Sequence, residues 1–314
     1  MRTLIAAGIG VLLLTSAALA PAELVQTLDA HHGAVQAMDL TPDGATLFTG
    51  GKDGRVLVWD VESLDMLLEV PACQVAINDI AVDPSGSFVA TAGADGYVKL
   101  WDALTAELII ALPAHIGAAN TVVWDPEGVY IFSGGDDGYV RAWNTEEDFT
   151  MDLEIFANNG GVNDLLLNST GDFVFTAGVD GFVKVFDAYT GELASAIKAY
   201  NNAEVLCLKL NHLEACLATG GTNGEVKIWD AATGSLVKEI RAHAGNVTRL
   251  FFLDDDSLIV TGGEDGKLKL WNHEADLAGS MQAHVLGVRD FVLTEDMLIT
   301  AGADYKIRVW TARF

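Results

Sequence analysis

The sequence has little cysteine, proline or positive charge. Its 314 residues include 3 Cys, 6 Pro and 18 Lys and Arg against 44 Asp and Glu, for a formal net charge of −26. Three cysteines exclude a disulfide-built scaffold. The negative charge repels phosphate, so binding to nucleic acid is not expected. Only one apolar run approaches the thickness of a bilayer, which excludes a polytopic membrane protein. Since half of the residues are apolar, the chain is not disordered.

That one apolar run lies at the N-terminus. Arg2 precedes an apolar stretch from Leu4 to Leu14, and small residues follow up to Ala22. This order predicts a secretory signal peptide over residues 1–22, cut after Ala22, because a cut after Ala20 would leave Pro21 first. The short leader with a single Arg is of bacterial type and predicts a periplasmic protein, with no membrane insertion once the leader is removed. The alternative is an uncleaved membrane anchor.

The rest of the chain is a repeat. Seven segments align: GKDGRVLVWD (51–60), GADGYVKLWD (93–102), GDDGYVRAWN (135–144), GVDGFVKVFD (178–187), GTNGEVKIWD (221–230), GEDGKLKLWN (263–272) and GADYKIRVWT (302–311). Their aromatic residues, at positions 59, 101, 143, 186, 229, 271 and 310, are spaced 42, 42, 43, 43, 42 and 39 apart.

Each unit has the pattern of four short strands. In the first unit these are VQAMDL (35–40), TLFTG (46–50), RVLVWD (55–60) and DMLLEV (65–70). Asp53-Gly54 between the second and third strands is a two-residue hairpin signal, because both positions tolerate positive φ. Seven such units predict an all-β fold, a seven-bladed β-propeller of four-stranded antiparallel blades.

The two ends of the repeat complete each other. The last unit stops at Phe314 without a fourth strand, whereas ELVQTLDAHHG (23–33) is similar to SLVKEIRAHAG (235–245), a fourth strand that leads into the next unit. We therefore expect residues 24–28 to pair beside 306–311 and close the ring, which removes two exposed sheet edges.

These units resemble the WD-repeat family of β-propellers over residues 23–314. In that family a His before the first strand, a Ser or Thr on the second, an Asp in the second turn and the Trp of the third strand form a hydrogen-bonded network inside each blade. The resemblance assigns such networks to blades one, three, six and seven, namely His31, Thr49, Asp53, Trp59; His115, Ser133, Asp137, Trp143; His243, Thr261, Asp265, Trp271; and His284, Thr300, Asp304, Trp310.

Blades two, four and five depart from this pattern. The His position, 28 residues before the aromatic residue, falls on Cys73, Asn158 and Asn201. In blade four Phe186 replaces the Trp and cannot donate a hydrogen bond. In blade five Asn223 replaces the Asp. We expect these three blades to depend more on apolar packing than on the network.

No residues form a catalytic, cofactor-binding or metal-binding motif. His31-His32 is a poor metal pair, because neighbouring residues on an extended chain point in opposite directions. Asp254, Asp255 and Asp256 form an acidic run without the alternating ligands of a calcium loop, and we interpret them as a solvated turn. Cys207 and Cys216 fall in one predicted hairpin, and the sequence leaves open whether they are bonded.

In the resembled family, partners commonly dock on the face that carries the loops before the first strands. By that resemblance the candidates are polar residues on either side of the apolar residue that begins each first strand, which we expect to form one ring at the channel mouth: Gln36, Asn78, Asn120, Asn163, Glu204, Asn246, Thr248 and Arg289. Side-chain amides both donate and accept hydrogen bonds, which suits a peptide or another neutral polar ligand. Arg289 is a candidate carboxylate contact.

Two functions compete. The first is a non-catalytic protein–protein interaction platform, a monomeric propeller that presents its mouth to a protein or peptide. The second is a small-ligand binder, or a hydrolase or lyase, that uses the channel mouth. General acid–base chemistry needs a close pair of titratable groups, and the ring supplies only Glu204 as a carboxylate. We therefore favour the platform.

Overall fold

A computed structural model describes residues 22–253, 256–272 and 274–311. The predicted leader, apart from Ala22, lies outside them, as do Asp254 and Asp255. The described ranges contain 28 strands in seven four-stranded antiparallel sheets. They contain no helix long and apolar enough to cross a membrane. The predicted all-β, seven-bladed propeller is confirmed.

The strands follow one another blade by blade, except for the first. Strand β1 (Leu24–Asp29) belongs to blade seven. Blades one to three are β2 (Val35–Leu40), β3 (Thr46–Gly51), β4 (Val56–Asp60), β5 (Met66–Val70); β6 (Ile77–Val82), β7 (Phe88–Gly93), β8 (Tyr97–Asp102), β9 (Leu108–Pro113); and β10 (Ala119–Trp124), β11 (Tyr130–Gly135), β12 (Tyr139–Asn144), β13 (Thr150–Phe156).

The remaining blades repeat that order. Blades four to seven are β14 (Val162–Leu167), β15 (Phe173–Gly178), β16 (Phe182–Asp187), β17 (Leu193–Lys198); β18 (Val205–Leu210), β19 (Cys216–Gly221), β20 (Glu225–Asp230), β21 (Leu236–Arg241); β22 (Val247–Phe252), β23 (Leu258–Gly263), β24 (Lys267–Asn272), β25 (Leu277–Gln282); and β26 (Val288–Leu293), β27 (Met297–Gly302), β28 (Lys306–Thr311), completed by β1.

The N-terminal strand closes the ring. Strand β1 pairs antiparallel with β28, with Asp29 opposite Lys306 and Leu24 opposite Trp310. The predicted pairing of residues 24–28 beside 306–311 is confirmed. Leu28 is buried in a core that joins blades seven and one, together with Ile307 and Trp59. Closure therefore buries apolar surface as well as pairing the backbone.

The core lies between neighbouring blades. Phe48 and Val58 of blade one, for example, pack against Ile77 and Val89 of blade two. The innermost strands of the seven blades surround a central channel. Because successive strands run antiparallel, the loop before each innermost strand and the turn between the second and third strands lie at the same end. We call that end the channel mouth.

A β-bulge interrupts each innermost strand near the mouth. In blade one, Val35 is opposite Gly51 and Ala37 is opposite Gly50, so Gln36 is the extra residue. The same shift occurs in the other six blades. A bulge breaks the alternation of side chains along a strand. This irregularity determines which residues face the channel.

Candidate functional site: the blade networks and the channel mouth

A series of hydrogen bonds between polar side chains crosses blade one beneath the mouth. The Trp59 indole donates to Oγ1 of Thr49 at 3.1 Å, and Nε2 of His31 lies 3.0 Å from the same oxygen. Nδ1 of His31 lies 2.9 Å from Oδ1 of Asp53. A neutral imidazole that donates from Nδ1 satisfies every one of these bonds, because the Thr49 hydroxyl can then accept from the indole and donate to Nε2.

The charges in this series of hydrogen bonds fit that assignment. Burial lowers the pKa of His31, which favours the neutral ring. Burial alone would raise the pKa of Asp53, but hydrogen bonds from the His32 backbone, His31 and Arg55 outweigh it and hold the value well below the ordinary range. The carboxylate therefore stays ionised and joins the inner loop to the turn before β4.

Blades six and seven contain the same series of hydrogen bonds. Trp271 and Trp310 donate to Thr261 and Thr300 at 3.0 and 3.1 Å, and the histidines complete the link to aspartate. Blade three differs from the expectation. His115 contacts Ser133 and Asp137, each at 2.9 Å, but the buried indole nitrogen of Trp143 has no hydrogen-bond partner among the described residues.

Blade four keeps the network without a histidine. Asn158 donates to Asp180 at 2.9 Å and accepts from Thr176 at 2.7 Å. The carboxamide thus reproduces both imidazole contacts, so blade four keeps a polar network although its sequence departs from the pattern. That apolar packing contributes more than this network stays a prediction. Gly178 packs directly on this amide, and a side chain there would overlap it.

In blades two and five, other residues replace the histidine. In blade two the half-buried Cys73 thiol donates to Asp95 at 2.9 Å, and Trp101 donates to Thr91 at 3.0 Å. In blade five the position belongs to Tyr200, whose hydroxyl donates to the backbone oxygens of Thr219 and Glu225, each at 3.0 Å. The predicted residue, Asn201, is exposed, because the loop of this blade shifts the position by one residue. Cys207 and Cys216 are free thiols.

Consecutive residues of the innermost strands line the channel at its mouth. The outer set, here called the mouth ring, is Gln36, Asn78, Asn120, Asn163, Leu206, Thr248 and Arg289. The inner set, the throat ring, is Ala37, Asp79, Thr121, Asp164, Cys207, Arg249 and Asp290. The bulge brings neighbours along the strand to the same cavity, of about 110 Å³. Alternation alone would have excluded the throat ring.

Two predicted partner residues fall outside this lining. Glu204 and Asn246 precede the bulge, and they do not line the cavity. Their backbone oxygens accept from Thr222 and Glu264 in the neighbouring turns of the same blades. Glu204 reaches the mouth ring only as an acceptor for Asn163, at 3.3 Å.

Most amide donors of the mouth ring bind the next blade. Asn78, Asn120 and Asn163 donate from Nδ2 to the backbone oxygens of the residues that begin the next innermost strands, at 2.9, 3.0 and 2.9 Å. The Thr248 hydroxyl does the same from blade six, at 2.8 Å. The N–H and O–H groups donated in these bonds stabilise the ring of blades and are not available to a ligand.

The throat ring holds a cation among carboxylates. Nε of Arg249 lies 3.0 Å from Asp290, and Asp79 and Asp164 also attract it. Each of these three aspartates accepts a backbone N–H from the next blade: those of Met38, Val122 and Leu208. Burial raises the pKa of Asp79 to about 7, although Arg249 opposes this shift. The throat therefore joins blades through ionised and hydrogen-bonded groups.

The fold and the networks together define a class of protein. It is a closed seven-bladed β-propeller in which a His, Asn, Tyr or Cys side chain before each innermost strand makes hydrogen bonds within its blade. The profile of the family described as "WD domain, G-beta repeat" matches residues 22–60, 67–102, 106–144, 152–187, 191–230 and 234–272. The chain belongs to this WD40 repeat family. The matched segments are six, and strands β26–β28 of blade seven lie outside them.

One relative is similar over a short segment. It is the small ribosomal subunit protein RACK1y of rice, Oryza sativa subsp. japonica, 42% identical over 45 residues. This segment is 14% of the present chain and 13% of the rice protein. A match of about one blade supports the repeat assignment only.

Proposed function

We propose that the protein is a non-catalytic interaction platform, exported to the periplasm, which binds a protein partner at the channel mouth. Membership in the WD40 family supports a platform, because propellers of this family generally serve as scaffolds. The described residues hold no group of three or more His, Cys, Asp or Glu side chains that could bind a metal ion. Fold alone does not assign a function, so the argument depends on the surface.

The observation that carries the proposal is an arc of exposed aliphatic side chains around the mouth. Val285 and Leu286 lie in the blade-seven loop and are 81% and 54% exposed; Val75 in blade two is 41% exposed, and Ile116 in blade three is 85% exposed. All four precede innermost strands, so they lie at the same end of the channel. Exposed apolar side chains that gather at one end of the channel favour an interaction site at that end.

The opposite face lacks such an arc among the described residues. Its most exposed large apolar side chains, Leu104, Tyr189 and Leu213, are scattered over blades two, four and five. Loops on a rigid scaffold commonly carry binding residues. The apolar arc thus favours the mouth over the other face.

Affinity capture from the native host tests the platform. A tagged copy with Ile116, Val285 and Leu286 all changed to Ser is compared with the tagged parent and with the control Leu104→Ser/Leu213→Ser. We expect a stoichiometric protein partner with the parent and the control, and its loss with the mouth variant. Capture of no partner by the folded parent would contradict the platform, and equal capture by all three would contradict the mouth.

Export has a separate test. The backbone N–H of Glu23 donates to Oγ1 of Thr311 at 3.0 Å, and Thr311 donates back to the Glu23 carbonyl. A cut after Ala22 would therefore leave a first residue that already belongs to the closing pair of strands. Mass spectrometry of the native N-terminus in periplasmic and cytoplasmic fractions measures both the cut and the compartment. An intact Met1 in the cytoplasm would contradict export.

A further inference from the structure

The hydrogen bonds that the mouth ring makes between blades are interrupted around blade one, where the joint with blade seven is bonded only deeper, by Met38 donating to Asp290, among the described residues. Blades two, three, four and six each donate from the mouth ring to the next blade. At the joint of blades five and six the Cys207 thiol contacts the Val247 carbonyl at 3.7 Å. Blades seven and one carry Arg289 and Gln36 at the same ring position, and the described structure gives neither an equivalent bond.

Both side chains instead leave buried polar atoms without a partner. Oε1 of Gln36 is a buried acceptor, and Nε of Arg289 is a buried donor; neither has a hydrogen-bond partner among the described residues. Thr121, only 1% exposed, also leaves its hydroxyl unpartnered on the same cavity. An unmade hydrogen bond to a buried group costs free energy. These atoms are buried as the side chains lie, so a molecule that supplies the missing contacts would have to turn Gln36 and Arg289 toward the cavity.

The neighbouring charges restrict what that molecule can be. A carboxylate could accept from Arg289, but it would face the Gln36 oxygen and the throat aspartates Asp79 and Asp290. Arg289 already has an acidic neighbour, since its guanidinium lies 3.8 Å from Glu264. An ammonium group could donate to Gln36, and the throat aspartates would attract it, but Arg249 and Arg289 line the same cavity and would repel it. A neutral carboxamide offers an acceptor to Arg289 and a donor to Gln36 at once.

The apolar arc lies beside this pair of residues. Val285 and Leu286 belong to the loop that leads directly into the strand of Arg289, and Val75 leads into the strand next to that of Gln36. A segment that crosses the mouth here would therefore meet aliphatic surface on both sides of a polar cavity. The cavity between the seven strands has a volume of about 110 Å³, which is room for a side chain.

We propose that the mouth receives the side-chain carboxamide of an Asn or Gln from an extended partner segment, bound between Gln36 and Arg289, while aliphatic neighbours of that residue contact Val285 and Leu286. This inference rests on the proposed interaction function and names the partner's chemistry. The guanidinium is a donor to the partner's carbonyl oxygen, and Gln36 is an acceptor for its amide N–H.

Selection from a randomised peptide display library on the full-length protein tests the inference. Peptides selected on the parent should carry Asn or Gln at one position, next to an aliphatic residue. The same selection is run on Gln36→Leu/Arg289→Met, which replaces the two polar groups by shorter apolar side chains, and on the control Leu104→Ser/Leu213→Ser. Thermal unfolding confirms that each variant is folded. We expect the amide preference to disappear only in the first variant.

Binding of peptides that differ at this one position then measures the preference for the carboxamide. Replacing the selected Gln by Glu or Lys should weaken binding to the parent by about tenfold or more. The double variant should bind the three peptides within about threefold of one another, since its cavity lacks the discriminating groups.

Each other result overturns the inference. Preference for Glu would identify an anion site, and preference for Lys a cation site. Peptides that do not depend on Gln36 and Arg289, or no selected peptides, would mean that the cavity holds water only. If the capture experiment still yields a partner that depends on Val285 and Leu286, the interaction function stands and only the carboxamide is wrong. If capture also fails, the function itself is wrong.

Discussion

Asn158 and Asp180 in blade four occupy the positions that a histidine and an aspartate occupy in four other blades. Nδ2 of Asn158 donates to Oδ1 of Asp180 at 2.9 Å, the same distance as that between His31 and Asp53 in blade one. An amide has one donor end and one acceptor end, as a neutral imidazole has. The network therefore requires a side chain with one hydrogen-bond donor and one acceptor at this position, and not histidine itself.

Asn158→Ala should destabilise the protein by about 2 kcal/mol, because it leaves Thr176 and Asp180 without their buried partner. Asn158→His should recover most of that loss. Chemical unfolding at pH 7.5 measures both. The control is Asn159→Ala, the adjacent exposed Asn, which should change stability by less than about 0.5 kcal/mol. Equal effects of the two alanine variants would contradict the role of Asn158.

Tyr305→Gly should stabilise the protein by about 0.5–1 kcal/mol. Tyr305 has a φ of 68° at the turn position where the other six blades have Gly at similar angles, from 75° to 83°. A side chain in this left-handed region is strained, whereas Gly is not. The unfolding midpoint should rise, and Tyr189→Gly, an exposed tyrosine outside that region, should not raise it. A lower midpoint for Tyr305→Gly would show that its side chain contributes more than the backbone strain costs.

Arg249→Met should destabilise the protein by about 2 kcal/mol or more at pH 8, because it leaves Asp79, Asp164 and Asp290 without their cation. The loss should be smaller at pH 5, where more of these carboxyl groups are protonated. Urea unfolding at the two pH values measures the difference. The control is Arg241→Met on the exposed outer strand β21. A loss that does not depend on pH would mean that Arg249 acts through packing alone.

Four aspartates of the innermost strands should contribute less to stability as pH rises from about 4 to about 7. Burial raises the pKa of Asp79 to about 7 and that of Asp39 to about 6, and it also raises those of Asp164 and Asp290. In this window these four aspartates bind more protons in the folded state than in the unfolded state, where they titrate near pH 4, so their contribution to stability is lost as the pH rises. The four histidines of the blade networks, whose pKa values are lowered by burial, act in the opposite direction.

The substitution Asp79→Asn tests this dependence of stability on pH, because the side chain of Asn stays neutral at every pH. The difference in unfolding free energy between pH 5 and pH 8 should be smaller than in the parent. Asp65→Asn, at an exposed position, should leave the difference unchanged. An equal pH dependence of stability in Asp79→Asn and in the parent would contradict the assignment.

The repeat spacing, the Asp-Gly turns and the strand patterns were sufficient to predict seven antiparallel blades, because each depends on local preferences of the backbone. The complementary ends were sufficient to predict closure by β1. The networks of blades one, six and seven were expected from the resemblance of these units to the WD-repeat family. Cys73 and Asn158 lie at the spacing that the sequence predicts, but their contacts with Asp95 and Asp180 became visible only in the fold.

Tertiary structure decided the rest. Tyr200 replaces the predicted Asn201, because the blade-five loop changes which side chain reaches Thr219. Trp143 lacks its expected partner. The bulge after Val35 and its counterparts places consecutive residues on the channel, so Arg249 and the throat aspartates line it while Glu204 and Asn246 do not. Spacing along a strand determines a side chain's face only where pairing is regular. A one-residue bulge, set by how each innermost strand meets its neighbour, reverses that face.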